Sequence, residues 1–345
     1  MKKFLCKVVV FSLIVAVMIV PFNVIVDPYN VFHADRVRDN GIEPNKNYFK
    51  TKYVIKYPEK FDSYLFGSSR VGFLDVEKMT GGTYYNMMYS EGVPYEHLKS
   101  LEAMIGGGEI PKNVIIGVDD IACFVDPEFH NQQLYRLAYP YKGSFVDKLG
   151  FYLRYLDTIT TLQSLATIKA HGEADETTVE RYYATGTENL HLPTAFNEAM
   201  NVPYWSAYYK LRTDEVLEEI AQIKALCEQY DINLIMFTNP VHATTYRMDI
   251  ENGYLDFLER LAAVTPYYNF SGFNDVTCDN FYYYETSHYS PAAGDLMIQA
   301  IFEDEVSDEL KAQGFGVYVT QENVNEVMEL LLQQATERGI SVYGK

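Results

Sequence analysis

Two short segments carry the residue types that acyl transfer requires. Residues 64–70 read Tyr-Leu-Phe-Gly-Ser-Ser-Arg, a short apolar strand followed by a turn of small residues. Residues 285–291 read Glu-Thr-Ser-His-Tyr-Ser-Pro and place a carboxylate three residues before a histidine. A serine nucleophile, a histidine base and a carboxylate that orients the base are the minimum set for an acyl-enzyme mechanism. The sequence therefore offers Ser69, His288 and Glu285 as catalytic residues.

Each motif has other interpretations when it is taken alone. A Glu-x-x-His pair on a helix also occurs in di-iron bundles, but such a bundle needs four helices and a second copy of the pair, which the sequence does not contain. The His-Glu-x-x-His pattern of zinc proteases is absent as well. A solvated helix N-terminus is the ordinary interpretation of the pair, and Gly-Ser-Ser occurs in many turns. We expect no metal and no cofactor.

Alternating strands and helices must position these residues. Apolar runs predict strands at residues 63–66, 83–88, 113–118, 233–237 and 267–270. Helical spacing predicts helices at residues 94–105, 213–230, 254–264, 291–302 and 322–338. This alternation predicts an α/β fold with a three-layer, doubly wound, mainly parallel sheet. Ser69, Asp119 and Asn239 each follow a predicted strand, and ligands bind at the carboxyl ends of such strands, so we expect one shared site.

The chain divides into four predicted segments. Residues 1–26 are predicted to form a membrane anchor, residues 27–60 a stalk, residues 61–310 the α/β domain and residues 311–345 a C-terminal helical extension. Within the α/β domain, residues 125–205 are rich in tyrosine and show helical patterns without clear strands. This stretch predicts a helical insertion that packs over the sheet.

The N-terminus has the pattern of an uncleaved transmembrane helix. Lys2, Lys3 and Lys7 are followed by an apolar run that continues to Val26, close to the roughly 20 residues that span a bilayer. The preceding positive charges favour a cytoplasmic N-terminus and place the rest of the chain outside. No A-x-A-like cleavage pattern follows the apolar run. We therefore expect a single-pass protein of the cell membrane with an extracytoplasmic domain.

Composition limits the partners. The 345 residues are 48% hydrophobic and 22% charged, which is typical of a folded protein. The formal net charge of −19 argues against nucleic acid or an anionic membrane face as a partner. The 30 tyrosines suit either the rim of a core or a surface that stacks on sugars. Four widely spaced cysteines, at positions 6, 123, 227 and 278, predict buried free thiols. One disulfide bridge between two of them is the alternative.

In combination, the two motifs resemble those of the SGNH (GDSL-type) hydrolase superfamily. The superfamily's nucleophile is the third residue of a Gly-Asp-Ser turn, which Gly67-Ser68-Ser69 matches with Ser68 as a departure. Its last block, Asp-x-x-His, corresponds to Glu285 and His288, with glutamate as a second departure.

One branch of that superfamily is more similar than the rest. The Gly-Ser-Ser turn, the N-terminal anchor and the segment 288–294 look like the branch that contains the D-alanine transfer protein of teichoic-acid operons and the cell-surface polysaccharide acetylation proteins. The resemblance covers roughly residues 60–125 and 230–303. It does not extend to the insertion or to the C-terminal tail.

The resemblance also implies two blocks that bind the oxyanion. The second block supplies a glycine N–H, and residues 86–92 are its counterpart, with Ser90, Glu91 or Gly92 as the donor. The third block normally reads Gly-x-Asn-Asp, but here Asp119 occupies the asparagine position and is followed by Asp120.

An ionised aspartate cannot donate a hydrogen bond to the oxyanion. Arg70 or Asn239 could take the place of the missing donor. Asp119 could instead be a structural cap or the partner of Arg70.

The resemblance implies an extracytoplasmic esterase or O-acyltransferase that acts on acyl esters of a cell-surface polysaccharide. An acylated surface polysaccharide and a membrane-bound O-acyltransferase are the implied partners. Two alternatives stay open. Departures at Ser68, Asp119 and Glu285 favour a catalytically inactive scaffold of the same fold that binds a glycan or the membrane-bound partner. The pair Asp119 and Asp120 alone supports a phosphoesterase or a metal-dependent enzyme.

Overall fold

A six-stranded sheet organises the part of the chain that the structure, a computed structural model, describes. Its strands are β1 (Ser63–Phe66), β2 (Tyr84–Asn86), β3 (Asn113–Val118), β4 (Asn233–Thr238), β5 (Tyr267–Asn269) and β6 (Val317–Val319). They lie in the order β2-β1-β3-β4-β5-β6. The first five run parallel, and β6 pairs antiparallel with β5. The predicted α/β class with a mainly parallel sheet is confirmed, and the architecture is consistent with three layers.

The structure describes residues 2–190, 200–205 and 212–344. Residues 191–199 of the predicted insertion lie outside the described residues, as do residues 206–211, Met1 of the predicted anchor and Lys345 of the predicted extension.

Helices connect and follow the strands. In chain order they are α1 (Lys2–Val26), α2 (Lys46–Lys56), α3 (Pro94–Gly106), α4 (Pro127–His130), α5 (Phe145–Arg154), α6 (Thr158–His171), α7 (Glu176–Ala184), α8 (Thr213–Gln229), α9 (Ala243–Glu251), α10 (Tyr254–Val264), α11 (Pro291–Phe302), α12 (Asp308–Ala312) and α13 (Val324–Glu337). The prediction omitted α9, whose sequence has no clear apolar stripe, and β6, which is only three residues long.

The strands β1 and β3 are buried along their whole length. Every residue of both strands is buried, which explains why both read as continuous apolar runs in the sequence. In the parallel register, Phe66 lies opposite Ile116 in β3, and Val118 lies opposite Thr238 in β4. The residues that follow these three strands therefore emerge at the same edge of the sheet.

The chain forms two compact units. Unit 1 comprises Met1–Tyr53 and His130–Glu180, and unit 2 comprises Val54–Phe129 and Arg181–Lys345. The whole sheet belongs to unit 2. The predicted insertion at residues 125–205 contributes to both units.

The structure bears on the predicted membrane helix and on the predicted free cysteines. Within the described residues, no helix combines the length and the apolar character needed to cross a membrane. Cys123 and Cys227 are free and buried, as expected, whereas Cys278 is free and exposed.

Candidate active site

Ser69, His288 and Glu285 meet at the carboxyl edge of the sheet, within unit 2. Ser69 Oγ lies 2.7 Å from His288 Nε2, and His288 Nδ1 is hydrogen-bonded to Glu285 Oε1. All three side chains are partly accessible to solvent. Two segments that are 219 residues apart in sequence therefore form one continuous chain of hydrogen bonds.

The protonation state of Glu285 suits the role of orienting the imidazole. Burial raises its pKa, but the hydrogen bond and charge of His288, the N–H of Ser287 and the charge of Arg70 outweigh burial and hold the pKa below its usual value. An ionised carboxylate only accepts hydrogen bonds. The proton of the neutral imidazole is therefore on Nδ1, which leaves Nε2 as the acceptor that faces Ser69.

The turn that presents Ser69 depends on Gly67. A Cβ atom at Gly67 would lie 2.5 Å from a methyl group of Val71, so only glycine fits between β1 and the short 3₁₀ helix Ser69–Phe73. The side chain of Ser68 accepts a hydrogen bond from the N–H of Arg70 and caps this helix. Ser68 therefore stabilises the turn, and the neighbouring Ser69 is directed at the imidazole.

The Glu-x-x-His segment is a closed loop. Tyr283 and Tyr289 form an isolated antiparallel bridge, and the N–H of Tyr284 donates to the carbonyl of His288 at 3.0 Å. Glu285 Oε2 accepts a hydrogen bond from the N–H of Ser287 at 2.7 Å. These contacts bring the carboxylate back toward the imidazole without a helix.

Arg70 links the nucleophile turn to this loop. Its Nε donates to the carbonyl of Ser287 at 2.9 Å, and Nη2 donates to Ser287 Oγ at 2.8 Å. Its Nη1 lies 3.0 Å from Asp119 Oδ1, and Nη2 lies 2.8 Å from Asp120 Oδ2. Burial lowers the pKa of Arg70, but the carboxylates of Asp120 and Asp119 and the thiol of Cys123 raise it well above its usual value.

This geometry shows where Arg70 lies and confirms one interpretation of Asp119. The Arg70 side chain is only 1% exposed; it donates hydrogen bonds to Ser287 and forms ion pairs with the two aspartates. It therefore tethers the turn of Ser69 to the loop of His288, and its oxyanion role stays a prediction. Asp119 is its ion-pair partner, as one of the two interpretations proposed.

Asn239 is likewise engaged within the protein. It is fully buried, its amide donates to Asp119 Oδ1 at 2.8 Å, and its Oδ1 accepts a hydrogen bond from the hydroxyl of Tyr289 at 3.1 Å. The expected oxyanion role of Asn239 stays a prediction. Ser287 and Tyr289, the two neighbours of His288, are thus both held by one buried polar network.

The predicted second oxyanion block lies against the nucleophile turn. A Cβ atom at Gly92 would lie 2.8 Å from the carbonyl oxygen of Gly67, so this glycine permits close backbone approach. The N–H of Gly92 donates to the carbonyl of Tyr89 at 3.3 Å. Glu91 has a positive φ of 52°, and both Ser90 and Glu91 are partly accessible. The role of Ser90, Glu91 or Gly92 as an oxyanion donor stays a prediction.

Sequence reasoning missed three contributors to the site. Ser287 and Tyr289 are the direct neighbours of His288 in the sequence. Their position on both sides of the histidine was the only sequence signal that they help to hold it. Asn189 donates from Nδ2 to the carbonyl of Ser69 at 3.3 Å, and its N–H donates to the carbonyl of Gly72 at 3.1 Å. Nothing in the sequence around Asn189 indicates that it lies beside the nucleophile.

The described residues contain no group of three or more histidine, cysteine or acidic side chains arranged to hold a metal ion. No protein-family model matches the chain, and no curated protein matches it.

Proposed function

We propose that this protein is a serine esterase or O-acyltransferase of the SGNH type that works through an acyl-enzyme on Ser69. The observation that carries the proposal is the contact of 2.7 Å between Ser69 Oγ and His288 Nε2, with Glu285 on the opposite nitrogen of the imidazole. This is the relation between nucleophile, base and orienting group that acyl transfer needs.

The reaction follows from the positions of the protons. His288 Nε2 takes the proton of Ser69 as the Oγ atom attacks an ester carbonyl, and Glu285 stabilises the imidazolium that forms. The imidazolium then protonates the leaving alkoxide, which departs as the alcohol. The acyl group leaves Ser69 when water or a sugar hydroxyl attacks it, with His288 acting as base again. Exclusion of water from the acyl-enzyme decides between hydrolysis and transfer.

The substrate class and the location belong to the proposal as well. The resemblance of the Gly-Ser-Ser turn and of segment 288–294 to surface-polysaccharide acylation proteins supports an acylated cell-surface polysaccharide as the substrate. The lysines ahead of the apolar run in α1 support a single-pass anchor that leaves both the sheet and the site outside the cytoplasm. A membrane-bound O-acyltransferase is the proposed protein partner.

Covalent labelling tests the enzymatic role. A fluorophosphonate probe should label the wild-type protein and should fail to label the Ser69→Ala variant. Ser68→Ala is the matched control, because it removes a serine from the same turn but not the hydroxyl that contacts His288. Equal labelling of wild type and Ser69→Ala would rule out Ser69 as the nucleophile.

A second function, that of a non-catalytic scaffold, is favoured by the oxyanion side of the site. Arg70 forms an ion pair with Asp119, and the amide of Asn239 donates to the same carboxylate, whereas the loss of one oxyanion donor typically costs about 10²–10³ in rate. Hydrolysis of an aryl acetate that is abolished by His288→Ala would exclude the scaffold. Binding of the polysaccharide without any hydrolysis or transfer would support it.

A further inference from the structure

Unit 1 exposes a large apolar surface on two consecutive helices. In α5 the exposed apolar residues recur at helical spacing and are Phe145, Val146, Leu149 and Leu153. In α6 they are Ile159, Leu162 and Leu165. Phe145, Val146 and Ile159 are each at least 70% exposed. In a helix surrounded by water, residues at this spacing normally face a core.

A polar stripe of α6, next to its exposed apolar residues, packs on α1. Thr161 Oγ1 donates to Asn23 Oδ1 of α1 at 2.6 Å, and the amide of Asn23 donates to Thr158 Oγ1 at 3.0 Å. Thr161 and Ser164 are buried, whereas Leu162 and Leu165 are exposed. Contacts between helices through Ser, Thr and Asn, with apolar side chains outward, are typical of helices in lipid.

The helix α1 also exposes apolar side chains. Among its described side chains, Val17, Met18 and Ile25 are each at least two-thirds exposed. The contact through Asn23 therefore joins two helices that both carry bare apolar groups.

Aromatic rings gather where the chain leaves α1. They pack against one another in unit 1 and are Tyr29, Phe32, Tyr48, Tyr139, Phe151, Tyr152 and Tyr155. Tyr29 and Phe32 lie within six residues of Val26, the last residue of α1. Tyr48, Phe151 and Tyr155 are buried within the cluster, whereas Tyr29, Tyr139 and Tyr152 are partly accessible, and tyrosine is enriched at the boundary between a membrane and water.

The charge of the chain is divided unevenly between the two units. Unit 1 has 13 lysines and arginines against 10 aspartates and glutamates, a net charge of +3. Unit 2 has 15 basic and 37 acidic residues, a net charge of −22. The acidic balance that opposes contact with anionic lipid headgroups is therefore confined to unit 2.

We propose that the apolar faces of α5 and α6 lie in the acyl-chain region of a lipid bilayer, just below the headgroups and beside α1. Unit 1 is then a membrane-embedded platform of several helices, and α1 is only one part of its attachment. The proposal rests on the membrane location given above and is independent of the reaction at Ser69.

Tryptophan quenching by brominated lipid tests this proposal on the full-length chain. The protein contains a single tryptophan, Trp205, whose emission in the parent protein provides the baseline. Leu153→Trp and Leu162→Trp each add a reporter to α5 or α6. Tyr318→Trp, on β6 in unit 2, is a matched control because Tyr318 is 50% exposed and Leu153 is 55% exposed.

The proteins are reconstituted in phosphatidylcholine vesicles whose acyl chains are brominated near the headgroup. We expect the added emission of Leu153→Trp and Leu162→Trp to shift to shorter wavelength and to be strongly quenched, while that of Tyr318→Trp is not quenched. Absence of quenching at both helix positions, or equal quenching at all three positions, would overturn the proposal. The result does not depend on esterase activity, so its failure is distinct from failure of the proposed reaction.

Discussion

Replacing Arg70 with methionine should slow acylation of Ser69 even though the triad residues remain. The guanidinium donates two hydrogen bonds to Ser287, the residue before His288, at 2.9 and 2.8 Å. Its loss frees the loop that carries the base. A misplacement of about 1 Å at a reacting group costs about 10²-fold in rate, and we expect a decrease of that size in the rate of probe labelling.

The same substitution should also destabilise the protein. Arg70 is 1% exposed, and its ion-pair partners Asp119 and Asp120 are 6% and 0% exposed. Removal of one partner from a buried ion pair costs about 3–5 kcal/mol, because it leaves the other charge uncompensated. Burial already raises the pKa of Asp120 in the native protein, so this carboxyl should take up a proton in the variant.

A triple variant separates the two effects. In Arg70→Met combined with Asp119→Asn and Asp120→Asn, the uncompensated charges are gone, so most of the lost stability should return. The tether to Ser287 stays absent, so the labelling rate should remain about 10²-fold below that of the wild type. Fluorophosphonate labelling rates and urea unfolding midpoints, measured on the same preparations, give both quantities.

Ser287→Ala provides a milder comparison. It removes the Oγ acceptor but keeps the backbone acceptor, so stability should fall by about 1–3 kcal/mol and labelling should slow less than in Arg70→Met. If the triple variant reacted at the wild-type rate, Arg70 would not position the base, and the reasoning would be refuted.

Three further predictions concern Glu285, Tyr289 and His97. Glu285→Gln should lower the labelling rate by about 10²–10⁴-fold, because a neutral amide does not stabilise the imidazolium. Glu285→Asp keeps the carboxylate and is the control. A loss of labelling rate in Glu285→Asp as large as that in Glu285→Gln would contradict the orienting role of the carboxylate. Tyr289→Phe leaves Asn239 Oδ1 buried without its donor at 3.1 Å and should cost about 1–3 kcal/mol of unfolding free energy, so unchanged urea stability would argue against the network. Burial lowers the pKa of His97 from 6.5 to about 3. The unfolded chain therefore binds a proton at mildly acidic pH that the folded protein does not bind. As the pH falls from about 7 to about 5, the free energy of unfolding should decrease by about 2 kcal/mol. In His97→Phe the part of this decrease that belongs to His97 should disappear, and an identical pH profile in the two proteins would contradict that assignment.

The central strands could be predicted from the sequence because buried strands consist mostly of apolar residues. The strands β1, β3 and β4 have continuous apolar runs that are bounded by polar or small residues. The predicted strand at residues 83–88 is shorter in the structure, since Asn86 accepts a hydrogen bond from the N–H of Met88 and turns the chain. The strand β6 was missed because it lies at the edge of the sheet with Tyr318 exposed, so it lacks the buried apolar run that marks β1 and β3.

The triad could be predicted because its members lie in recognisable local patterns. The oxyanion side could not, because the roles of Arg70 and Asn239 depend on burial and on partners that are remote in sequence. Arg70 and Ser287 are 217 residues apart, and Asn239 and Asp119 are 120 residues apart. A polar residue after a strand indicates the edge of the sheet, but it does not indicate whether the side chain faces a substrate or another buried group.

Trapping of the acyl-enzyme tests the central claim most directly. The wild-type protein is incubated with an aryl acetate, quenched in acid and digested, and the peptides are examined by mass spectrometry. The account predicts an acetyl group on the peptide that contains Ser69, on Ser69 itself, and its loss in His288→Ala. Hydrolysis of the ester without an acetyl group on Ser69, or equal acetylation of Ser69 in His288→Ala, would contradict it.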